Sequence, residues 1–288
     1  MTTLRRLIDD AAAALADAGV GSARVDAELL AAHAAGTDRT RLGLLTGPND
    51  LPADFPARYD GLVAERARRI PLQHLVGTAA FGPVEVAVGP GVFVPRPETE
   101  ALLEWAMGLT LPSDPVIVDL CTGSGALALA LATHRPAARV IAVDDSPAAL
   151  GYARRNLDGT GVELVDADVT SRGLMPELDS AVDVLVANPP YIPDGAALPP
   201  EVTDHDPAHA LFGGPDGMTV IEAIAALGKR WLRAGGRCAV EHDDTTSAQT
   251  VEAFVRIGGF GDVTPRRDLT GRPRFVTATR RDTEVQMP

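Results

Sequence analysis

The sequence predicts an α/β protein in which a small helical domain precedes a mostly parallel sheet. Residues 1–75 contain only amphipathic helical patterns, and residues 76–95 contain alternating valines between Gly-Pro pairs. From residue 96 onward, apolar strands alternate with helices. Such alternation is typical of a parallel sheet that helices cover on both faces. The 288 residues are enough for one large or two ordinary domains.

The first 75 residues predict a bundle of short helices joined by brief turns. The apolar face of the first helix consists of Leu4, Leu7, Ile8, Ala11 and Leu15. A second helix can begin at Ser22 and end near Gly36. A third can open at Pro56 and close before Pro71, because proline fits the first helical turn but cannot continue a helix.

Residues 76–95 predict a β-hairpin that links the two domains. Val84, Val86 and Val88 alternate with other residues, and Gly-Pro pairs at both ends favour turns. The sheet domain is expected over residues 96–281, followed by a frayed tail at 282–288.

Seven strands are expected in the sheet domain. The first five are VIVDL (116–120), RVIAVD (139–144), VELVDA (162–167), VDVLVA (182–187) and RCAVE (237–241), and the last two lie near GDVTPRRDL and RFVTAT. Little chain separates the last two strands, which predicts one antiparallel strand at that end of the sheet.

Composition limits the classes of function. The formal net charge of −13 disfavours broad nucleic-acid binding, which needs a basic surface. Two cysteines are too few for a disulfide framework and favour a reducing compartment. Acidic residues interrupt the N-terminal helix, so we expect no signal peptide, and no apolar run approaches the roughly 18 residues that span a bilayer. We therefore expect a cytoplasmic protein.

A glycine-containing turn follows the first strand of the sheet and precedes a helix. Gly123 and Gly125 let a ligand approach the backbone and the helix N-terminus closely. The sequence GSGALA fits the dinucleotide pattern G-x-G-x-x-A, and Asp144 follows about 20 residues later, where it can hold ribose hydroxyls. The pattern by itself suits either NAD or S-adenosylmethionine.

Three details favour S-adenosylmethionine. Asp119 lies at the end of the first strand, where a carboxylate would face a cationic amino-acid group rather than a pyrophosphate. Thr122 and Ser124 add hydroxyls to the turn, and Asp168 closes the third strand, where it can accept a hydrogen bond from an adenine amino group. We expect Asp145 instead to cap the next helix.

The fourth strand ends in Asn188, Pro189, Pro190 and Tyr191. In an open parallel sheet, ligands bind at the carboxyl ends of strands, and this strand is expected beside the first. The prolines remove two backbone donors, so the corner presents acceptors. The side-chain oxygen of Asn188 and the carbonyl of Pro189 can each accept one proton of an NH2 group, and Tyr191 offers a π face near a sulfonium methyl. Two common groups fit: the exocyclic amine of a base and a carboxamide.

These motifs together resemble the bacterial peptide-chain release factor glutamine methyltransferases, the PrmC or HemK family. The resemblance covers nearly the whole chain. It rests on residues 68–106 with PRPETE, the loop VDLCTGSGALALALA, NPPYIP, DPAHALFGGPDGMTVI (206–221) and RRDLTGRPRFVTATR (266–280). Asn-Pro-Pro-Tyr alone is shared with DNA adenine methyltransferases, but its combination with PRPETE and a helical N-terminal domain is more specific.

The resemblance implies a Rossmann-like methyltransferase fold and a reaction. The enzyme would transfer a methyl group from S-adenosylmethionine to the side-chain amide of the glutamine of the Gly-Gly-Gln motif in class 1 release factors, which the helical domain and the hairpin help to dock. It would act as a monomer that binds neither nucleic acid nor membrane directly. Implied cofactor contacts are Cys121, Thr122, Gly123, Ser124, Gly125, Asp144, Asp168, Val169 and Asn188, and the residues that hold the glutamine are Asn188, Pro189 and Tyr191.

The chain departs from the family pattern at three places. Cys121 stands where a first glycine is frequent, so we expect this position not to need a positive φ, and we expect a buried small side chain rather than a reactive thiol. Val169 stands where an aromatic residue is common, which would weaken adenine stacking. EHDDTT (241–246) departs from the usual Glu-x-Gly, which leaves the role of that rim open.

Three other functions stay open: an adenine methyltransferase acting on nucleic acid, a glutamine methyltransferase acting on a ribosomal protein, and a regulatory module that binds the cofactor without turnover. The acidic charge and the lack of a basic run argue against the first. His205 and His209 have nominal metal-ligand spacing, but Pro207 interrupts the helix and no third ligand is placed. We expect no metal.

Overall fold

The computed structural model describes residues 3–45 and 50–282. Its contacts divide the chain into two compact units, Met1–Thr78 with Leu198–His205, and Ala79–Ala197 with Asp206–Pro288. The first unit therefore includes a short segment that follows the Asn-Pro-Pro-Tyr corner in the sequence. Apart from Asp282, the tail predicted at 282–288 lies outside the described residues.

The first unit is helical, as predicted. Its helices are α1 (Thr3–Asp17), α2 (Ala23–Ala35), α3 (Arg39–Leu42), α4 (Phe55–Ala67), α5 (Leu72–Val76) and, from the later segment, α9 (Pro200–His205). Leu15 and Leu30 pack with Phe55 and Tyr59 in a core from which solvent is excluded. Burial of such side chains contributes about 1.5–3 kcal/mol each and holds together helices that would be unstable alone.

The second unit begins with the predicted hairpin, a two-stranded sheet of β1 (Thr78–Phe81) and β2 (Val84–Ala87). The main sheet contains β3 (Val116–Leu120), β4 (Arg139–Asp144), β5 (Glu163–Asp166), β6 (Val182–Ala187), β7 (Leu232–Glu241), β8 (Phe260–Arg267) and β9 (Pro273–Arg280). The strand order is β5-β4-β3-β6-β7-β9-β8, and among the described strands of this sheet β9 alone runs in the direction opposite to the other six. Seven strands with one antiparallel member were predicted, and both predictions are confirmed.

Strand β7 is longer than the sequence predicts. The strand was predicted over RCAVE, residues 237–241. In the structure β7 begins at Leu232, which pairs with Val182 before the register shifts and Arg237 pairs with Val184. Gly235 and Gly236 therefore form an irregularity inside the strand, where Gly235 adopts a φ of 77°.

Helices cover both faces of the main sheet. They are α6 (Glu100–Met107), α7 (Ala126–His134), α8 (Pro147–Asn156), α10 (Ala208–Leu211), α11 (Thr219–Trp231) and α12 (Ser247–Ile257). Successive residues of β3 enter opposite cores, because Ile117 belongs to one buried cluster and Val118 to another. This arrangement confirms the doubly covered sheet.

The strand order places two loops side by side. β3 and β6 are parallel neighbours, with Leu120 opposite Ala187 at their carboxyl ends. The glycine-containing turn after β3 and Asn188 after β6 therefore leave the sheet at the same edge, where parallel sheets bind ligands.

Candidate active site

The turn between β3 and α7 is shaped by left-handed residues. Gly125, the N-terminal cap of α7, has a φ of 82°, and a Cβ there would lie 3.1 Å from Leu157. Gly123 has a φ of 58°, and nothing lies within 4 Å of the position a Cβ would take. The turn is therefore closely packed against Leu157 at Gly125, whereas the space beside Gly123 is open. Such open space allows a ligand to approach the backbone closely.

The expectation that Cys121 needs no positive φ is wrong. Its φ is 58°, in the left-handed region that costs an ordinary residue about 1–2 kcal/mol. The turn imposes this conformation whichever residue stands there. Burial, with Asp144, Asp119, Asp145 and Asp168 nearby, raises the pKa of the Cys121 thiol well above its usual value. The thiol therefore stays protonated, which fits a packing role rather than a reactive one.

Asp119 braces the turn from inside. Only 1% of the residue is exposed, and its Oδ2 accepts hydrogen bonds from the Thr122 hydroxyl at 2.5 Å and from the Ala128 amide at 3.2 Å. Burial raises the pKa of this carboxyl to about 7, although the two hydrogen bonds oppose the rise. Asp119 thus fixes the start of α7, and its predicted contact with a cofactor stays a prediction.

Asp144 connects the ends of two strands. It is the last residue of β4, and its Oδ2 accepts from the Gly123 amide at 2.8 Å while its Oδ1 accepts from the Ser146 amide at 2.9 Å. Burial raises the pKa of the Asp144 carboxyl, and the two backbone donors oppose that rise. Each oxygen keeps capacity for a further hydrogen bond from a ligand.

The prediction that Asp145 caps the following helix is wrong. The side chain of Ser146 caps α8 by accepting from the Ala149 amide, whereas Asp145 Oδ1 lies 2.6 Å from His209 Nε2. Ser146 occupies the cap position because it directly precedes Pro147, the first residue of α8, whereas Asp145 lies one residue earlier and pairs with His209 instead. The Asp145 carboxylate raises the pKa of His209.

Asp168 and Val169 lie beyond β5, which ends at Asp166. The exposed Asp168 carboxylate accepts from the amide and the hydroxyl of Thr170, both at 2.7 Å. Val169 is only 7% exposed and packs in the core under β3 and β6. Their predicted contacts with an adenine base stay predictions.

The chemistry of this edge fits S-adenosylmethionine better than a pyrophosphate. Asp119, Asp144, Asp145 and Asp168 all lie close enough to raise the pKa of Cys121, so their fields overlap at the turn. A cluster of carboxylates attracts the sulfonium and ammonium groups of S-adenosylmethionine and repels phosphate oxygens. The carboxylates around the turn therefore favour S-adenosylmethionine over a cofactor that carries a pyrophosphate.

The Asn-Pro-Pro-Tyr corner is held by residues from two distant parts of the chain. Asn188 Nδ2 donates to the Thr99 hydroxyl at 3.1 Å, and Thr99 belongs to the PRPETE motif. The Tyr191 hydroxyl donates to Glu241 Oε1 at 3.1 Å, and Glu241 is the last residue of β7. Since Ala187 pairs with Val240, Glu241 lies beside Asn188 at the sheet edge.

Glu241 is a buried carboxyl at the centre of this corner, with 1% of the residue exposed. Burial raises its pKa to about 7, while the Thr99 hydroxyl, Arg274 and Tyr191 oppose the rise. Burial, followed by the charge of Glu241, also raises the pKa of Tyr191, so the phenol stays protonated. Arg274 in turn lies 3.4 Å from Asp268.

Residues 206–221 contact the backbone of the residues that follow Pro189 in the corner. The Ile192 amide donates to the Leu211 carbonyl at 2.8 Å, and the Gly213 amide donates back to the Ile192 carbonyl at 2.9 Å. A Cβ at Gly217 would overlap the Tyr191 carbonyl oxygen, so only glycine allows this close packing. The corner is therefore held by backbone hydrogen bonds and close backbone packing.

Sequence reasoning missed Thr99, Glu241 and Arg274 as members of the site. The PRPETE motif identified the family but gave no position for Thr99, and Glu241 was noted only as the start of a divergent rim. A signal for Glu241 was present in the sequence. Glu241 ends the predicted strand that follows, along the chain, the strand before Asn188, and the carboxyl ends of parallel strands lie at one edge of a sheet.

His205 and His209, which have nominal metal-ligand spacing in the sequence, belong to different helices, α9 and α10. His205 belongs to the first unit and His209 to the second, and Asp206 lies 2.5 Å from Arg96. Within residues 3–45 and 50–282, no group of three or more His, Cys, Asp or Glu side chains could hold a metal ion.

Comparisons with known proteins agree along the whole chain. Residues 6–77 match the PrmC N-terminal domain, and residues 90–204 match the methyltransferase small domain. A release factor glutamine methyltransferase of Mycolicibacterium smegmatis is 69% identical over 97% of this chain and 99% of its own. A protein of the same name from Mycobacterium tuberculosis is 64% identical over 96% of this chain and 92% of its own.

A solved structure supports the fold. A methyltransferase from Pyrococcus furiosus superposes with a TM-score of 0.52 and 19% identity, over 75% of this chain and 98% of that one. Similarity at this level concerns the arrangement of the sheet and its helices.

Proposed function

This chain belongs to the family of release factor glutamine methyltransferases, and from that premise we propose that it methylates the glutamine of the Gly-Gly-Gln motif in class 1 release factors. The methyl group comes from S-adenosylmethionine and is transferred to the side-chain amide nitrogen. The observation that carries this proposal is the Asn188 corner, whose carboxamide is held by Thr99 at 3.1 Å beside an acidic, glycine-containing turn.

The turn and its neighbours hold the cofactor. In this proposal Asp144 binds the ribose, Asp168 and Val169 contact the adenine, and residues 121–125 contact the amino-acid part. When bound, S-adenosylmethionine supplies a methyl group that its sulfonium already activates. The carboxylates at this edge stabilise that positive charge while the cofactor is bound.

Asn188 and Pro189 orient the substrate. The oxygen of Asn188 and the carbonyl of Pro189 each accept one proton of the glutamine amide, which holds the nitrogen in place and keeps electron density on it. An amide nitrogen is a weak nucleophile, so positioning and dipole alignment supply much of the rate enhancement. The nitrogen becomes acidic as it gains the methyl group and then loses one proton to solvent, so no strong base is required.

Pro190 and Tyr191 complete the catalytic corner. Pro190 continues the rigid turn without adding a backbone donor, and Tyr191 forms a wall of the site with its hydroxyl fixed on Glu241 at 3.1 Å. A π face beside a sulfonium methyl stabilises the positive charge.

The remaining roles concern partners and location. We propose that the helical unit, residues 1–75 with α9, docks the release factor, and that the enzyme acts as a cytoplasmic monomer without direct contact to nucleic acid or membrane. None of the helices in residues 3–45 and 50–282 combines the length and the apolar character needed to cross a membrane.

One experiment separates this function from its alternatives. The protein is incubated with methyl-labelled S-adenosylmethionine and, in parallel, a class 1 release factor, the same factor with its motif glutamine changed to alanine, ribosomal proteins, and an adenine-containing oligonucleotide. We expect label only in the unchanged release factor, on the motif glutamine as located by mass spectrometry. Label in a ribosomal protein or in the oligonucleotide, or cofactor binding without any turnover, would contradict the proposal.

A further inference from the structure

The carboxamide of asparagine has two ends of nearly equal shape and opposite chemistry. Its oxygen accepts hydrogen bonds, and its NH2 group donates them. If the Asn188 side chain were turned over, it would present N–H groups to the N–H groups of the substrate amide, and the acceptor would be lost. The orientation of this side chain therefore matters to the proposed reaction, on which the present inference rests.

We propose that Thr99 is a positioning residue that keeps the oxygen of Asn188 facing the substrate by accepting a hydrogen bond from its NH2 group. The donor–acceptor distance from Asn188 Nδ2 to Thr99 Oγ1 is 3.1 Å, and only 4% of Thr99 is exposed. Water therefore has little access to replace Thr99 as the partner of Asn188.

A hydroxyl could in principle also donate to Asn188, and the neighbourhood of Thr99 decides against this. Thr99 has one proton, and the ionised form of the buried Glu241 carboxyl, which predominates above about pH 7, can only accept. Glu241 Oε1 already accepts from Tyr191, whereas its Oε2 has no regular hydrogen bond from any described residue. The Thr99 hydroxyl nevertheless lowers the pKa of Glu241, as a donor directed at that carboxylate would.

In the proposed arrangement the hydroxyl proton of Thr99 points toward Glu241, and the lone pair of Thr99 Oγ1 accepts from Asn188 Nδ2 at 3.1 Å. In this arrangement the NH2 group of Asn188 donates a hydrogen bond to the oxygen of Thr99. The hydroxyl of Thr99 then donates its own proton to the carboxylate of Glu241. Arg274 supplies the positive charge that favours the ionised form of Glu241. Glu241 also accepts from the Tyr191 hydroxyl at 3.1 Å, so this buried group fixes one residue of the catalytic corner directly.

A purely structural role for Thr99 makes a different prediction. Thr99 ends the short 3-10 helix Pro97–Thr99, just before α6, and could serve only to pack that turn. Valine has the shape of threonine without the hydroxyl, so Thr99→Val preserves the packing and removes the hydrogen bond. Thr99→Ser does the opposite, since it keeps the hydroxyl and loses a methyl group.

The first test is single-turnover methyl transfer to a release factor with the cofactor saturating. We expect Thr99→Val to lower the rate by about tenfold, the loss of one aligned hydrogen bond, and Thr99→Ser to restore most of it. Cofactor affinity should not change. In the Asn188→Ala background, Thr99→Val should have no further effect, because its target is absent. The control is Thr133→Val, which removes an exposed hydroxyl bonded to the Leu129 carbonyl in α7 and should leave the rate unchanged.

The second test does not depend on activity. In NMR spectra, the side-chain NH2 signals of Asn188 are identified by their absence in Asn188→Ala. We expect one of these protons to be protected from exchange in the unaltered protein and in Thr99→Ser, and unprotected in Thr99→Val. A full rate and unchanged protection in Thr99→Val, or an equal loss of rate in the Asn188→Ala background, would overturn the role of Thr99. An unaltered protein that does not methylate the release factor would instead count against the proposed function, while the NMR result still decides the orientation.

Discussion

The carboxylate of Asp144 accepts a hydrogen bond from the Gly123 amide at 2.8 Å, which joins the end of β4 to the turn after β3. One side chain therefore shapes the turn, and in the proposed site the same side chain holds the cofactor. The second oxygen accepts from Ser146 at 2.9 Å, so the orientation of the carboxylate is fixed before a cofactor binds. Preorganisation of this kind lowers the entropy that binding would otherwise cost.

Replacing Asp144 should weaken cofactor binding. Asp144→Ala would remove the proposed charge-assisted hydrogen bonds to ribose and should reduce the affinity for S-adenosylmethionine by about 1–3 kcal/mol in titration calorimetry. The matched control is Asp166→Ala, because Asp166 is the register partner of Asp144 on β5. If the Asp144→Ala affinity equals that of the unaltered protein, Asp144 does not belong to the site.

Replacing Asn188 should slow the chemical step. Asn188→Ala removes the acceptor for the substrate amide, and we expect a loss of roughly 10²–10³-fold in single-turnover rate with saturating cofactor. Asn188→Asp keeps an acceptor but adds a charge beside the sulfonium, so it should alter cofactor affinity as well. Both variants should fold, since Asn188 follows the strand rather than lying within it. A folded Asn188→Ala variant with a nearly full rate would reduce the corner to a strand terminator.

The buried Glu241 should make stability depend on pH. Its pKa in the folded protein is about 7, above its ordinary value of 4.5, because burial disfavours the charged form. Between these pH values the folded protein keeps a proton that the unfolded chain has lost, so Glu241 lowers stability as the pH rises. Glu241→Gln should therefore gain stability relative to the unaltered protein from about pH 4.5 to about pH 7 and hold that gain above it.

Urea unfolding at several pH values measures this difference. The control is Glu163→Gln, because the hydrogen bond from Arg139 lowers the pKa of the exposed Glu163 carboxyl. The ionised Glu163 therefore adds stability as the pH rises, so its replacement should change the pH dependence of stability in the opposite direction. Parallel pH profiles for Glu241→Gln and the unaltered protein would show that Glu241 ionises normally in the fold.

The helical unit contains a buried ion pair that should matter for its stability. Arg66 Nε lies 2.7 Å from Asp26 Oδ2, and these side chains are only 5% and 4% exposed. Asp26→Ala leaves a buried guanidinium partly uncompensated and should cost about 3–5 kcal/mol in urea unfolding followed by circular dichroism. Arg6→Ala breaks the exposed pair with Asp10 and should change stability by less than about 0.5 kcal/mol. Equal effects of the two substitutions would contradict the special role of the buried pair.

The sequence by itself determined the elements of this fold and the outline of the site. Strand and helix were predictable because apolar periodicity reflects local geometry, and so was the antiparallel β9, because too little chain precedes it for a crossover. The turn at 121–125 and the Asn188 corner were predictable because glycine and proline restrict or free the backbone where they stand.

Only the tertiary structure decided which distant residues complete the site. Thr99 lies 89 positions from Asn188, and Glu241 lies 50 positions from Tyr191, yet both pairs are hydrogen-bonded. The left-handed Cys121 and the pairing of Asp145 with His209 were likewise mispredicted from local preference. Local patterns carry no information on which strand ends meet, because that depends on strand order and on how the two faces of the sheet pack. The orientation of a single carboxamide follows from those contacts.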